Sequence, residues 1–393
     1  MFIQKVYKYK LRPTTAQQQL FRRWLGCCRF VYNLCLEHRL CHWQSAQVTL
    51  SEYEQVKALT QAKKTPGFEW LSEVHSQVLQ DVVRRVRLSF DHFFRGAGFP
   101  RWASRHSWCS FRYPQAHHGS IRIEGNRIRL PKIGWVKMYY HRPCQGRIKQ
   151  VTIKKQPEGY FVCISVEQSN QALPARENQT VGIDLGIARL ATLSNGKVYA
   201  NPRLYERFGP EVKRLQRKLS RQINGSRSWR KTKARLCRLH AKISHCRRDY
   251  LHKVSTEIVG SYAGIIVEDL RIGNMTKSAK GTLEHPGRRV RQKSGLNRSL
   301  LDVSPGMLLW MLEYKSQWHE RHFERVNPRY TSQRCSECGH TDSCNRRSQA
   351  VFRCNHCDHA THADLNASKN IRDLGQVSGS QYGQVSRALP VSA

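Results

Sequence analysis

Acidic side chains are scarce in this sequence. Lys and Arg total 67 against 28 Asp and Glu, a formal net charge of +39. A chain charged so one-sidedly repels itself unless a polyanion neutralises it. That disfavours a neutral partner, points to nucleic acid, and predicts binding that falls steeply with salt. Long uncharged apolar runs are lacking as well. No stretch approaches the roughly 20 residues a spanning helix needs, and no secretory leader opens the chain. Together these predict no membrane and a reducing cytoplasm. Cysteine, by contrast, is plentiful at fourteen. Without a leader, that number does not imply a disulfide scaffold. Cys27, Cys28, Cys35 and Cys41 fall in one helical pattern and read as small buried apolar residues. The 393 residues are enough for two or three domains with cores of their own.

The strongest chemical motif lies near the end of the sequence. Cys335-Ser336-Glu337-Cys338 and Cys354-Asn355-His356-Cys357 are two knuckles fifteen residues apart, the spacing of a four-cysteine zinc ribbon. Cys335, Cys338, Cys354 and Cys357 complete a tetrahedron without His340, Cys344, His356 or His359. A closed site holds structure and does no hydrolysis. Three acids have placements suited to a second, harder metal. Asp184 breaks an apolar run before Gly186. Glu268 ends the β-branched run Ile265–Val267, which reads as a buried strand. Asp364 opens a helical pattern carried by Leu365, Ile371 and Leu374. Magnesium takes oxygen ligands, and two such ions, with manganese the substitute, can clamp the attacking and leaving oxygens of a phosphodiester. That is RNase H-like nuclease chemistry. Singly, each acid reads equally well as a solvated strand end or helix cap.

Along the chain, residues 2–12 read as a basic strand. Thr15 and Gln18 offer a capping box for a helix with Leu20, Trp24, Cys28, Val31, Cys35 and Leu36 on its apolar face. A second helix is expected from about Ser72, through Val74, Val78, Val82, Val86, Phe90 and Phe93. From Ser120 the period becomes two, with a turn at Glu124-Gly125-Asn126 and strands at 150–155 and 160–167. His117-His118 has no partner at ligand spacing and reads as structural. Residues 168–178 read as a linker. Asn195-Gly196 predicts a hairpin. Two basic helices follow, about 210–223 and 228–262. Arg214, Lys218, Arg221, Lys231 and Arg235 are candidate contacts to a phosphate backbone, and Trp229 is a candidate core residue. Residues 275–294 read as a lid or as a plain surface loop. Pro305 starts another helix, and Asp302 reads as structural.

The three acids, the ribbon and Gly295-Leu296-Asn297-Arg298-Ser299 together resemble the TnpB family, insertion-sequence proteins related to type V CRISPR effectors. So do Leu11-Arg12-Pro13-Thr14, Phe30-Val31-Tyr32-Asn33, Gly98-Phe99-Pro100-Arg101 and Leu130-Pro131-Lys132-Ile133-Gly134. The resemblance spans roughly residues 1–375. It implies an α/β multidomain protein. A β-barrel wedge domain (1–12 and 115–170) would carry a helical recognition insertion (13–114). A RuvC-like, RNase H-like nuclease domain (171–376) would hold the zinc ribbon (330–360), and a disordered tail would occupy 377–393. It further implies an RNA-guided, magnesium-dependent DNA endonuclease in a bacterial or archaeal cytoplasm, near the nucleoid. Its partners would be a guide RNA from the transposon end, one protein per RNA, and double-stranded target DNA with a short flanking motif. In that reading the helical region meets the flanking motif. Gln reads adenine well, which makes Gln77 and Gln80 candidate readers, with Tyr53 beside them. An RNase H-like transposase, a guided repressor that does not cut, and a zinc-ribbon RNA-binding protein are the rival readings.

Overall fold

The computed structural model describes the backbone of residues 2–116, 119–170 and 174–382, with side chains as far as residue 375. His117-His118 and residues 383–393 lie outside the described residues. The chain divides into two compact units, Met1–Asn170 and Gln171–Ala393.

The first unit contains β1 (Phe2–Arg12), α1 (Thr15–Ala46), α2 (Glu52–Ala62), α3 (Ser76–Phe94), β2 (Ser110–Tyr113), β3 (Arg122–Glu124), β4 (Arg127–Leu130), β5 (Gly134–Met138), β6 (Arg147–Gln156) and β7 (Gly159–Ser169). Its seven strands are ordered β2-β6-β7-β1-β5-β4-β3. Among the described residues no ladder joins β3 to β2; Tyr113 Oη instead donates 3.0 Å to the Pro131 carbonyl just past β4. The capping box forms one residue earlier than expected. Thr14 holds the extended conformation a cap requires, and Thr14 and Gln17 bond reciprocally. Ser51 and Glu54 make a second box that starts α2, a helix the periodicity did not reveal. The expected second helix begins at Ser76 rather than Ser72, because Glu69–Glu73 forms a 3-10 turn. Val78, Val82, Val83 and Val86 of α3 are buried against Trp24, Cys28, Val31 and Cys35 of α1. Asp81, also buried, receives Arg85 of its own helix and Arg112 of β2, stapling helix to sheet. Cys27, Cys28 and Cys35 are buried as expected. Cys41 is exposed, because α1 runs on past the core.

The second unit contains β8 (Glu177–Asp184), β9 (Arg189–Leu193), β10 (Val198–Ala200), α4 (Leu204–Ser220), α5 (Arg227–Ser261), β11 (Tyr262–Glu268), α6 (Ile272–Met275), α7 (Val290–Val303), α8 (Pro305–Trp318), β12 (His322–Val326), β13 (Val351–Arg353), β14 (Ala360–His362) and α9 (Ala363–Tyr382). Five strands form a sheet ordered β10-β9-β8-β11-β12. β11 is parallel to both neighbours, and β8 to β10 form an antiparallel meander. Parallel strands are covered on both faces, which is why β11 reads as a continuous apolar run. Ile265 and Val267 pack with Leu251, Ile258, Leu308 and Leu312 on one side. Ile266 packs with Ile371 of α9 on the other. Helix α4 starts before Pro210 and takes it into its second turn. Trp229 is not core: it is half-buried, with the Lys233 ammonium 4.5 Å from its ring centre. The stretch expected as lid or loop becomes helical at Val290. Helix α9 runs on to Tyr382, so the first six residues of the expected tail are helical.

Candidate active site and metal centre

Strand parity brings the acids together. Successive strand residues face opposite sides, so Asp184 shares a face with Gly182, and Glu268 with Ile266. That is the face α9 covers. Adjacent pairing of Ile183 with Val267 sets the two carboxylates at the same end of neighbouring strands. Asp364 stands in the first turn of α9. The helix lies unusually close. A Cβ at Gly182 would overlap the Ser368 carbonyl, and one at Gly375 would overlap the Ile266 side chain. The two glycines let α9 settle onto β8 and β11, and with it Asp364. Asp269, the next residue after Glu268, is exposed and turns instead to Arg325, 3.7 Å away.

The site is electrostatically tense. Burial raises the Asp184 carboxyl from 3.8 to about 7, and the charges of Glu268 and Asp364 push the same way. Glu268 is raised too, mainly by burial, although the Thr331 hydroxyl donates 2.6 Å to its Oε1. Arg346 opposes both rises. Its guanidinium lies 3.9 Å from Asp364 and lowers the pKa of Asp184 and Glu268. His362 stands 3.8 Å from Asp364 and accepts its backbone N–H. Three half-buried acids, two of whose charges bear on the third, offer the oxygen donors a hard cation takes. Sequence reasoning missed Arg346, Thr331 and His362. Nothing distinguishes one arginine among so many basic residues.

The four cysteine sulfurs lie within 4.8 Å of one another, the only such group of three or more His, Cys, Asp or Glu ligands among the described residues. The three carboxylates are therefore more widely spread. Cys335 and Cys357 Sγ are 3.7 Å apart, and Cys338 and Cys354 Sγ 3.6 Å. Zinc–sulfur bonds of about 2.3 Å would place tetrahedral sulfurs about 3.8 Å apart. The cluster fits a zinc ion. Its knuckles repeat one geometry. Cys335 N–H donates to His340 and Cys354 N–H to His359, while Gly339 and Asp358, at matching positions, both have positive φ. The ribbon is tied to the acids. Asn366 of α9 accepts from Ser336 N–H and donates to the Arg334 carbonyl. Asn370 donates to the carbonyls of Thr331 and Arg334. One helix thus carries Asp364, clamps the first knuckle and holds the threonine that bonds Glu268.

The nucleic-acid candidates separate. Arg214, Lys218 and Arg221 line one cavity of about 690 Å³ along α4. Arg214 and Lys218 also face Arg235, Arg238 and Lys242 of α5 across a neighbouring cavity of about 380 Å³. Lys231 is exposed and lines neither. Gln80 is exposed, and Gln77 donates 3.0 Å to Gln115. Tyr53 is exposed elsewhere on the first unit. The Glu52–Arg87 ion pair anchors its helix to the C-terminal half of α3, away from Gln77.

Comparison with known proteins places this chain among relatives of matching length. A protein of Escherichia coli strain K12 named "Putative RNA-guided DNA endonuclease InsQ" is 39% identical over 373 residues, 94% of this chain and 92% of its own. The chain belongs to the TnpB family. A Streptomyces pristinaespiralis protein, also named as a putative RNA-guided DNA endonuclease, is 30% identical over 95% of this chain and 90% of its own. Family models match in three places. A probable-transposase model covers residues 162–279, and a Cas12f1-like TNB domain covers 306–371, around the cysteines. A helix-turn-helix model covers 1–47, which here form strand β1 and a single long helix. The fold resembles the structure titled mini-RNA-guided endonuclease CRISPR-Cas_phi3. The TM-score is 0.51 at 11% identity, over 95% of this chain and 92% of that one. Among the described residues, no helix is long and apolar enough to cross a membrane.

Proposed function

We propose that this chain is an RNA-guided DNA endonuclease of a transposable element, cutting target DNA beside a short flanking motif. The observation that carries the reading is the placement of Asp184 and Glu268 at the same end of adjacent strands, with Asp364 on the helix that covers that face and its charge acting on Asp184, in a chain of this family. In this reading the second unit is a RuvC-like nuclease domain with the ribbon inserted. The strands of the first unit form the wedge, and its helices form the recognition insertion.

Asp184, Glu268 and Asp364 would hold magnesium, which supplies a polarised phosphoryl oxygen and an activated water. The protein's own groups do the rest. Thr331 fixes one oxygen of Glu268, leaving the other for a ligand. Arg346 partly neutralises the carboxylates and offers its charge to the scissile phosphate. The raised Asp184 must lose its proton before it can ligate metal, so cleavage increases as pH rises towards 7. The zinc ribbon is structural, holding Thr331 and Arg346 beside the acids. Arg214, Lys218, Arg221 and Arg235 follow a phosphate backbone, and Gln77 and Gln80 face the flanking duplex. A guide RNA from the transposon end accompanies each protein.

The test uses protein purified with its RNA, that RNA sequenced, and a matched DNA target. Asp184→Asn, Glu268→Gln and Asp364→Asn should each abolish cutting in magnesium and leave target binding. Wild-type protein that binds but never cuts would leave the repressor. The probable-transposase description of the matching family model favours one second reading, which a strand-transfer assay on transposon ends decides.

A further inference from the structure

The C-terminal end of α3 exposes aromatic rings in a fixed arrangement. The helix stops at a left-handed glycine, Gly96 (φ 93°). There Gly96 N–H donates to Phe93 and Ala97 N–H to His92, each at 2.9 Å, a turn that sends the chain back across the helix end. Phe99 thereby returns edge-on to Phe90 and Phe93, with ring centres 5.8 and 5.2 Å apart. Phe94 packs on the same two rings from its own side, at 6.5 and 5.4 Å. Arg39 lies 5.3 Å from the Phe90 ring centre, so Phe90 serves as support. The loop is pinned further on. Asn33 of α1 accepts from Ala103 N–H at 2.8 Å and donates to its carbonyl at 3.2 Å. Two of the family-like phrases, Phe30–Asn33 and Gly98–Arg101, thus converge on one structural feature.

What this scaffold presents is apolar and unprotected. Phe94 is 73% exposed, Phe99 48% and Trp102 54%. Arg95, Arg101 and Arg105 are exposed among them, and no described carboxylate pairs with any of the three. Ordered rings offered to solvent beside uncompensated cations match the chemistry of unpaired nucleotides, bases on the rings and phosphates on the arginines.

We infer that this surface is a stacking platform for unpaired target DNA. The choice of DNA rests on the proposed function and on the helix itself. Gln80, facing the flanking duplex in that reading, lies fourteen residues before Phe94 on α3, about 21 Å along the axis. A duplex seated at the Gln end would reach the aromatic end about six base steps further on, where guide pairing has parted the strands.

The test uses the full chain with its copurified RNA, without magnesium, and single-stranded DNA carrying 2-aminopurine. Wild type should quench the probe and bind it more tightly than the matching RNA or duplex. Phe99→Leu with Trp102→Leu keeps the apolar bulk and removes the faces. Binding should weaken about tenfold or more with an unchanged salt slope. Trp102→Phe should restore most of it. Arg101→Gln should instead lower the log–log salt slope by about 0.7, one phosphate's worth. Unaltered affinity and quenching in the double leucine variant would overturn the platform. Tighter binding of the RNA probe would overturn DNA as its occupant. Because cutting is not read, a protein that stacks DNA and never cleaves refutes only the nuclease reading. One that cleaves normally with wild-type stacking in the variant refutes only this one.

Discussion

Replacing Asp184 with asparagine should stabilise the magnesium-free protein while destroying its proposed activity. Asp184 is held at about 7 instead of 3.8, first by burial and then by its two acidic neighbours. A carboxyl raised in the folded state stabilises fully below its unfolded pKa, and that contribution is lost as pH rises through the folded value. Above pH 7 the ionised group is therefore a liability. Each unit is about 1.4 kcal/mol, so the gap sets a ceiling of about 4 kcal/mol; relaxation and water should leave about 2 kcal/mol or more. Asparagine keeps the shape and drops the charge. For a unit of this size about 2 kcal/mol corresponds to about 4–8 °C. The assay is thermal unfolding at pH 5 and pH 8, without magnesium and without strong chelators, so that the ribbon keeps its metal. At pH 5, above the unfolded carboxyl's 3.8 but well below the folded value of about 7, the variant's advantage should be only about a third of that at pH 8. At pH 8 the variant should melt higher. Magnesium should then raise the wild type and leave the variant unmoved. Equal melting at pH 8, or a less stable variant, would refute the strained carboxylate.

Other outcomes follow from neighbouring contacts. Gly182→Ala should lift α9 off the sheet, costing about 1–3 kcal/mol and impairing cleavage; a variant with normal melting and cutting would show that the close approach is unimportant. Arg346→Gln removes the cation that lowers Asp184 and Glu268, so the acidic limb of the cleavage pH profile should move to higher pH; an unmoved limb contradicts the assignment. Cys335→Ser should lose zinc, a site worth on the order of 10 kcal/mol in small domains, and loosen Thr331 and Arg346; elemental analysis finding no zinc in the wild type would sink the ribbon. Asp269→Ala should keep substantial cleavage, since that side chain turns to Arg325; a dead variant would mean its orientation has been misread.

Much of this architecture was legible because periodicity survives burial. The run Ile265–Val267 announced a strand covered on both faces, and Asn195-Gly196 a hairpin. The cysteine spacing announced the ribbon. Other features were set by partners distant in sequence. The closeness of α9 depends on Gly182 meeting Ser368, and no local pattern shows that. Arg346 gains its place only when the ribbon folds against the sheet. Asn366 and Asn370 form a visible polar stripe four residues apart, yet its purpose depends on carbonyls some 30 to 40 residues away. Capping also shifted by one residue, because Thr14 and Thr15 offer the same chemistry and backbone geometry chooses between them.

The late position of α9 has a consequence during synthesis. β8 and β11 can pair once residue 268 has left the ribosome, yet Asp364 is made almost a hundred residues later. Until then the proposed cutting centre has two carboxylates and no helix to carry the third. Unit Met1–Asn170, with the Gln80 helix and the aromatic platform, contains no residue that must wait for it. A growing chain would therefore gain its nucleic-acid-facing surfaces before it could cut. A chain terminated between residues 270 and 360 would keep the proposed platform and lack the third acid of the proposed cutting centre.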